Sequence, residues 1–308
     1  MRFFLFCLLL SSGCKQSDDD IEETGSPPSG WFTTGQDATV MLGGPGFNQS
    51  GGPDALNHPK GIATDGTSLL LADGNNHRVL VWSSLPTGDE PPDIVLGQPN
   101  FDTNDSGESE TEMKWPVDVA AGGGKYVVAD SYNDRLLIWE GLPTENGQAP
   151  DLILEGIVQG DSFPLSPRKD RFVWPWGVWT DGEKLVVTST SAGSSSGGVS
   201  FNGWVLIWNT FPTEPNVAAD IVLSGNGKLG TPRAIVTDGK SFLMVGDHNP
   251  KEQSVHAGNW VWNTFPTRDE EPITDFVADP SGDFIWMAGD VGADGRLVTV
   301  GSGVSVWD

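Results

Sequence analysis

The sequence contains few cysteine and histidine side chains. Among its 308 residues there are two cysteines, Cys7 and Cys14, and four histidines. Because both cysteines lie at the N-terminus, the chain beyond Cys14 has no thiolate nucleophile, zinc–thiolate site or disulfide. A domain of about 280 residues buries enough apolar surface to fold without covalent links.

Basic side chains are also scarce. The chain carries 17 Lys and Arg against 42 Asp and Glu, a formal net charge of −25. A surface of this charge repels phosphate backbones and anionic lipids. We therefore expect no nucleic-acid partner, a membrane contact only through a lipid anchor, and a monomer.

The chain has no apolar run that could span a bilayer in its N-terminal segment, where the apolar stretch 3–10 is eight residues long. Met1-Arg2 before it and Ser11-Ser-Gly-Cys14 after it are typical of an export signal and resemble a bacterial lipoprotein cleavage site. We expect residues 1–14 to be a signal peptide ending at a lipidated Cys14, and the protein to lie in the bacterial cell envelope. Ordinary secretion is the alternative, because Ser11 stands where such sites usually carry Leu. The acidic residues 15–30 predict a disordered tether.

What the chain does contain is a repeat. The pattern Trp-x-x-Leu/Phe-Pro-Thr begins at Trp82, Trp139, Trp208 and Trp262, and Trp307 follows near the C-terminus. Such self-similarity indicates repeat architecture. Around each copy, four short apolar runs bounded by Gly, Pro, Asp or Asn predict four strands joined by turns. Because these runs are apolar at consecutive positions, each sheet should be covered on both faces, as propeller blades are.

We predict an all-β fold: a five-bladed β-propeller of four-stranded antiparallel blades over residues 31–308. Four blades span 58–97, 115–154, 175–223 and 232–277. The fifth has three runs, at 284–287, 296–300 and 304–307, and lacks a fourth. Residues 39–43, followed by Pro45 and Phe47, match 94–97, followed by Pro99 and Phe101. An N-terminal strand should therefore complete the last blade and close the ring.

Two turns resemble those of the NHL-repeat family. Ala72-Asp-Gly-Asn-Asn-His-Arg78 and Ala129-Asp-Ser-Tyr-Asn-Asp-Arg135 look like the family's Ala-Asp-x-x-Asn-x-Arg turn. The third copy departs from it with Ser189 at the Asp position; the fourth keeps Asp247, and neither has the Arg. The resemblance implies a propeller and says little about activity, because the family includes six-bladed scaffolds, binding modules and a lyase.

The turns of such a ring would separate into two faces. The Thr-Asp-Gly turns at 64–66, 180–182 and 237–239 share one face with the Pro-Thr motifs and indicate a structural role. On the other face, the loops 98–115, 156–174, 189–203 and 248–258 differ in length and character, which predicts the functional face.

Seven residues that enter the inner strands should ring the channel mouth on this variable face: His58, Lys60, Trp115, Asp118, Trp174, Trp176 and Arg233. Tryptophans beside charged groups favour a sugar or peptide platform. The alternative is that several of them plug the channel or seal the blade interfaces.

Metal and catalytic patterns are weak. His248 and His256 are separated by eight residues, which is not a zinc-ligand spacing. Calcium is the one cofactor that the sequence raises, at Asp102–Gly107, but Met113 stands where a calcium loop needs Glu. The Ser-rich stretch 191–198 predicts a hairpin tip and not a nucleophile.

These features favour a non-enzymatic, envelope-anchored binding propeller whose ligand is a protein or a glycan. A metal-dependent lyase or lactone hydrolase at the channel mouth is the second hypothesis, and a structural spacer is the third.

Overall fold

A computed structural model of the chain describes residues 38, 40–43, 51–53, 55–156, 166–195, 198–251, 257–278, 288–291, 297–300 and 304–307. The expected signal peptide with Cys14, the expected tether at 15–30, and His256 lie outside these residues. Within the described ranges, no helix has the length and apolarity that crossing a bilayer requires.

The described residues form a propeller of antiparallel sheets whose strands follow chain order. The first blade contains β1 (Pro59–Thr64), β2 (Leu69–Asp73), β3 (Arg78–Trp82) and β4 (Ile94–Leu96). The second contains β5 (Pro116–Gly122), β6 (Lys125–Asp130), β7 (Arg135–Glu140) and β8 (Leu152–Glu155). The third contains β9 (Val178–Thr180), β10 (Leu185–Ser195), β11 (Gly198–Trp208) and β12 (Ile221–Leu223). The fourth contains β13 (Pro232–Thr237), β14 (Leu243–Asp247), β15 (Gly258–Trp262) and β16 (Asp275–Ala278).

The last sheet has three strands in the described part of the chain: β17 (Ala288–Val291), β18 (Leu297–Val300) and β19 (Val304–Trp307). Among the described residues there are thus four four-stranded blades and one three-stranded sheet, and not the five four-stranded blades that we predicted. We expected residues 39–43 to supply the fourth strand, but the described residues among them, 40–43, do not form a β-strand. The run expected at 284–287 lies outside the described residues, and β17 begins at Ala288.

The first strand of each sheet lies nearest the centre of the molecule. β1 contacts β5, β5 contacts β9, and β13 contacts both β9 and β17. Because neighbouring strands run antiparallel, the first-to-second and third-to-fourth turns of every blade share one end. The second-to-third turns and the connections between blades share the other end, which is the variable face.

Apolar clusters between the blades hold the sheets together. Leu96 of the first blade packs among residues of the second, and Leu154 of the second among residues of the third. The motif tryptophans of the four complete blades are buried, as predicted, and each indole N–H donates to a backbone carbonyl. The acceptors for Trp82, Trp139, Trp208 and Trp262 are the carbonyls of Glu90, Gln148, Val217 and Glu271, at 2.7–3.2 Å.

Buried ion pairs fix the turns that resemble NHL repeats. Arg78 Nε lies 2.9 Å from Asp73 Oδ2, and Arg135 Nε lies 2.8 Å from Asp130 Oδ2. Each guanidinium also donates to three backbone carbonyls, so the pair ties the neighbouring loops to the blade. For Arg135 these are the carbonyls of Glu108, Ser109 and Glu112.

One variable loop differs from its expected form. Residues 189–203 were expected to be a divergent loop, but β10 and β11 continue through most of this range and pair from Leu185 opposite Trp208 to Ser195 opposite Gly198. The Gly and Ser composition concealed the pairing, because neither residue has the β-branched or aromatic side chain that marks a strand.

Candidate binding site at the channel mouth

Three of the residues expected at the channel mouth share one unusual backbone position. His58, Trp115 and Trp174 each precede the proline that begins an inner strand segment, and their φ angles are 60°, 55° and 46°. Positive φ is uncommon for bulky side chains and costs on the order of 1–3 kcal/mol. The surrounding structure must therefore hold these residues in place.

The preceding blade supplies that support. The Trp174 backbone N–H donates to Asp134 Oδ1 at 2.6 Å, and the Trp115 N–H donates to His77 Nδ1 at 3.0 Å. His77 and Asp134 are themselves left-handed residues that end the 3-10 turns Gly74–Asn76 and Ser131–Asn133. The second-to-third turns of the first two blades thus fix the residues that lead into the second and third blades.

The aromatic rings at these entrances form a continuous surface. The ring centroids of Trp115 and Trp176 lie 5.3 Å apart, edge to face. Trp115 is 4.4 Å from Tyr132, and Tyr132 stacks on Trp174 at 5.9 Å with an interplanar angle of 22°. Edge-to-face and offset-stacked rings at these separations attract each other beyond their burial.

Two cations complete this surface. Lys60 Nζ lies 4.5 Å from the Trp115 ring and 5.0 Å from the Trp176 ring, and the Arg233 guanidinium lies 3.7 Å from the Trp176 ring. Burial, with a further contribution from Arg233, lowers the pKa of Lys60 to about 8. Burial also lowers the pKa of Arg233 to about 10. We call these six residues the mouth surface: Lys60, Trp115, Tyr132, Trp174, Trp176 and Arg233.

His58 and Asp118 stand apart from the mouth surface. His58 is exposed, and partial burial followed by the charge of Lys60 lowers its pKa. Asp118 lies deeper, in the wall between inner strands, where its Oδ2 accepts the Val178 N–H at 3.0 Å. A Cβ on Gly61 would collide with Asp118, so only glycine lets the first blade approach this carboxylate. Burial raises the pKa of Asp118 to about 7.

A pocket of about 380 Å³ opens beside the mouth surface, between the second and third blades. It is lined by Lys114, Tyr132, Asp134, Val173, Trp174, Thr190 and Ser191. The hydroxyl of Ser191 is buried and has no hydrogen-bond partner among the described residues. Burial raises the pKa of Asp134, whose Oδ1 accepts the Trp174 N–H.

Sequence reasoning missed Tyr132, the residue that links Trp115 to Trp174. The signal was present, because Tyr132 occupies a variable position of the Ala129–Arg135 turn, and 45% of its surface is exposed. An exposed aromatic residue in a turn on the predicted functional face could have been added to the candidates.

The described residues contain no group of three His, Cys, Asp or Glu side chains that could hold a metal ion. At the calcium-loop candidate, Met113 is 1% exposed and packs in the core between the first two blades. The histidine nearest this loop in the sequence, His77, has a structural role, because its Nδ1 accepts the backbone N–H of Trp115.

No protein-family model matches the chain, and no curated protein matches it in sequence. Solved structures match over about four fifths of the chain. A nidogen/laminin complex has 15% identity over 81% of this chain and 75% of the other, with a TM-score of 0.46. A PQQ-bound aldose sugar dehydrogenase from Streptomyces coelicolor has 12% identity over 82% and 75%, with a TM-score of 0.46. Myxococcus xanthus glutaminyl cyclase has 11% identity over 81% and 91%, with a TM-score of 0.42. Identities this low transfer no function, and these proteins differ in activity among themselves.

Proposed function

We propose that the chain is a non-enzymatic binding propeller that engages a protein or a glycan through its variable face. The observation that carries this proposal is the mouth surface, where four aromatic rings and two cations lie in one connected patch. Aromatic and Arg side chains are the types that dominate binding hot spots.

The packing of this patch suits it for binding. Lys60 and Arg233 already lie over tryptophan rings, so a ligand need not order two long side chains, and the entropy cost of association falls. The hydrogen bonds that the backbone N–H groups of Trp115 and Trp174 donate to His77 and Asp134 fix the backbone in the same way. Ligand affinity then depends on contacts rather than on rearrangement.

A paired-variant binding experiment tests this function. Full-length protein is applied to an array of neutral, amino and acidic oligosaccharides and to a displayed peptide library. Lys60→Ala should lower the affinity for the bound ligand about tenfold, which corresponds to a loss of roughly 1.4 kcal/mol of binding free energy. Lys125→Ala is the matched control, because Lys125 Nζ also lies over a ring, that of Phe211 at 5.3 Å, on the opposite face. If Lys125→Ala abolishes binding and Lys60→Ala does not, the proposal is refuted.

We also propose that the protein is exported and tethered through a lipid on Cys14. The support is the charged and apolar N-terminal segment and the Ser-Ser-Gly-Cys sequence that follows it. Metabolic labelling with a radioactive fatty acid should label the wild type and not Cys14→Ser. Equal labelling of both, or an unlabelled wild type in the culture medium, would contradict the tether.

Finally, we propose that the repeats are NHL-like and that Val40–Leu42 complete the last blade. Leu42 packs against the cluster of Leu69, Leu71 and Leu80, on the side of the first blade that faces away from the second. Its sequence equivalent Leu96 likewise packs against the next blade. Met41→Cys with Ser305→Cys should form a disulfide detectable by peptide mass spectrometry, whereas Met41→Cys with Ser241→Cys should not.

A further inference from the structure

The pocket beside the mouth surface has the size and openness of a small-ligand site. Its volume of about 380 Å³ falls within the range of roughly 300–1,000 Å³ that ligand pockets show. It lies on the variable face, because its lining comes from the turn that contains Tyr132, the loop that leads to Trp174, and Thr190 and Ser191 in the middle of β10.

One wall of the pocket is aromatic. The Tyr132 ring stacks on the Trp174 ring, and Val173 adds an aliphatic contact. A pyranose ring presents C–H bonds on its faces and hydroxyls around its edge. Such a ring can stack on an aromatic wall while its hydroxyls turn towards polar groups.

The other lining groups supply both kinds of hydrogen-bonding partner. Asp134 is an acceptor, and no hydrogen bond from the described residues reaches its Oδ2. Lys114 is a donor whose ion pair with Glu108 is long, at 3.7 Å, and exposed. The buried Ser191 hydroxyl has no partner among the described residues, and a buried polar group in that state costs roughly 1–3 kcal/mol. A ligand hydroxyl, which donates and accepts, could satisfy each of these groups.

Other ligand classes fit this lining less well. A cationic side chain would meet the Lys114 ammonium, and an anion would meet the Asp134 carboxylate and the net charge of −25. A purely apolar ligand would remove Asp134 from water without replacing its hydrogen bonds and would leave the Ser191 hydroxyl without a partner. A neutral, polyhydroxylated ligand with an apolar face avoids all three penalties.

We infer that this pocket binds one pyranose unit of a neutral glycan, packed against Tyr132 and Trp174 and hydrogen-bonded by Asp134, Lys114 and Ser191. The inference rests on the proposed binding function of the same face and names the ligand class of one part of it. Lys60 and Arg233 are not among the residues that line the pocket.

The test is titration of the full-length protein with methyl glycosides and trisaccharides of glucose, galactose, mannose and N-acetylglucosamine, by calorimetry and saturation-transfer NMR. At least one of them should bind at millimolar concentration or below. Tyr132→Ala should abolish the binding, and Ser191→Ala should weaken it by about tenfold. Ser191→Ala removes a hydroxyl that no other described residue bonds, so the fold should survive it.

Asp134→Asn is the most informative variant. Asn keeps an oxygen for the Trp174 N–H and tolerates the positive φ of 51° at this position, but it loses the carboxylate. It should weaken sugar binding by about tenfold. Asp238→Asn is the matched control, because it makes the same exchange in a Thr-Asp-Gly turn on the opposite face, where Oδ1 also accepts backbone N–H groups, and should leave sugar binding unchanged.

The outcomes separate this inference from the proposed function. If no neutral sugar binds, or if Tyr132→Ala and Ser191→Ala leave the affinity for the sugar unchanged, the inference is overturned. A peptide or acidic glycan that then binds in a Lys60-dependent manner leaves the proposed function standing. Absence of every Lys60-dependent ligand would overturn both.

Discussion

In the fourth blade, the Trp260 indole N–H donates a hydrogen bond to Asp247 Oδ2 at 3.0 Å, and both residues are buried. Trp204 of the third blade is equally buried, but its indole N–H has no partner among the described residues. Trp204 lies opposite Ser189, which replaces the aspartate of the other three blades. Two buried tryptophans of neighbouring blades therefore differ in hydrogen bonding.

Replacing each of these tryptophans by Phe should have unequal effects on stability. Trp260→Phe leaves a buried aspartate without one of its donors, and we expect the free energy of unfolding to fall by about 1–3 kcal/mol beyond the packing loss. Trp204→Phe removes an N–H that is already unsatisfied and should cost only the packing term. Urea denaturation of both variants measures the difference, and equal losses would refute the hydrogen-bond assignment.

The buried ion pair of the first blade should contribute far more than an exposed one. Arg78→Ala leaves Asp73 charged and buried and frees three carbonyls, so we expect a loss of about 3–5 kcal/mol. Arg268→Ala breaks the pair with Glu271, where the Arg268 side chain is 70% exposed, and should cost at most about 1 kcal/mol. Thermal unfolding of the two variants measures this difference. A similar decrease in stability in both would contradict the structural role of Arg78.

Asp118 should make stability depend on pH. Burial raises its pKa from 3.8 to about 7, so between these values the folded state binds more protons than the unfolded state. The free energy of unfolding therefore falls as pH rises through this window, by up to about 4 kcal/mol from this group. Asp118→Asn should match the wild type near pH 4 and exceed its stability at pH 8. If the difference in unfolding free energy between Asp118→Asn and the wild type does not change with pH, the carboxylate is not buried.

Lys60 should react with amine reagents at an unusually low pH. Because burial and Arg233 lower the pKa of Lys60 to about 8, half of its amine is neutral near that pH. Peptide mass spectrometry after brief acetylation at a series of pH values gives the labelling rate of Lys60. Each rate is divided by the rate at high pH, where the amine is fully neutral. A midpoint near pH 8 is expected, and Arg233→Gln should raise it. A midpoint above pH 10 would mean that Lys60 is not held in the mouth surface.

The sequence predicted the features that each repeat determines locally. The Trp82, Trp139, Trp208 and Trp262 motifs and the Asp-Gly turns recur with the same neighbours, so the strands of four blades could be placed, apart from the extended hairpin of β10 and β11. The side chains of Asp65, Asp181 and Asp238 accept backbone N–H groups two and three residues ahead, as expected of turn aspartates.

The candidate site was less predictable, because its geometry depends on pairs of blades. The depth of Asp118 is set by Gly61 of the neighbouring blade, and the orientation of Trp174 by Asp134 of the preceding one. No pattern within one repeat carries such contacts. The fourth strand expected in the last sheet would likewise depend on a pairing between segments about 260 residues apart in the chain.

The tryptophan side chains offer a direct readout of where ligand binds. With all 13 tryptophans labelled with ¹⁵N at the indole, the neutral trisaccharides, or a peptide selected on the library, are added to the full-length protein. The indole signals of Trp115, Trp174 and Trp176 should shift, and those of the buried Trp82, Trp139, Trp208 and Trp262 should stay in place. Shifts confined to the buried four, or a saturating ligand that moves none of the first three, would contradict binding at the mouth surface.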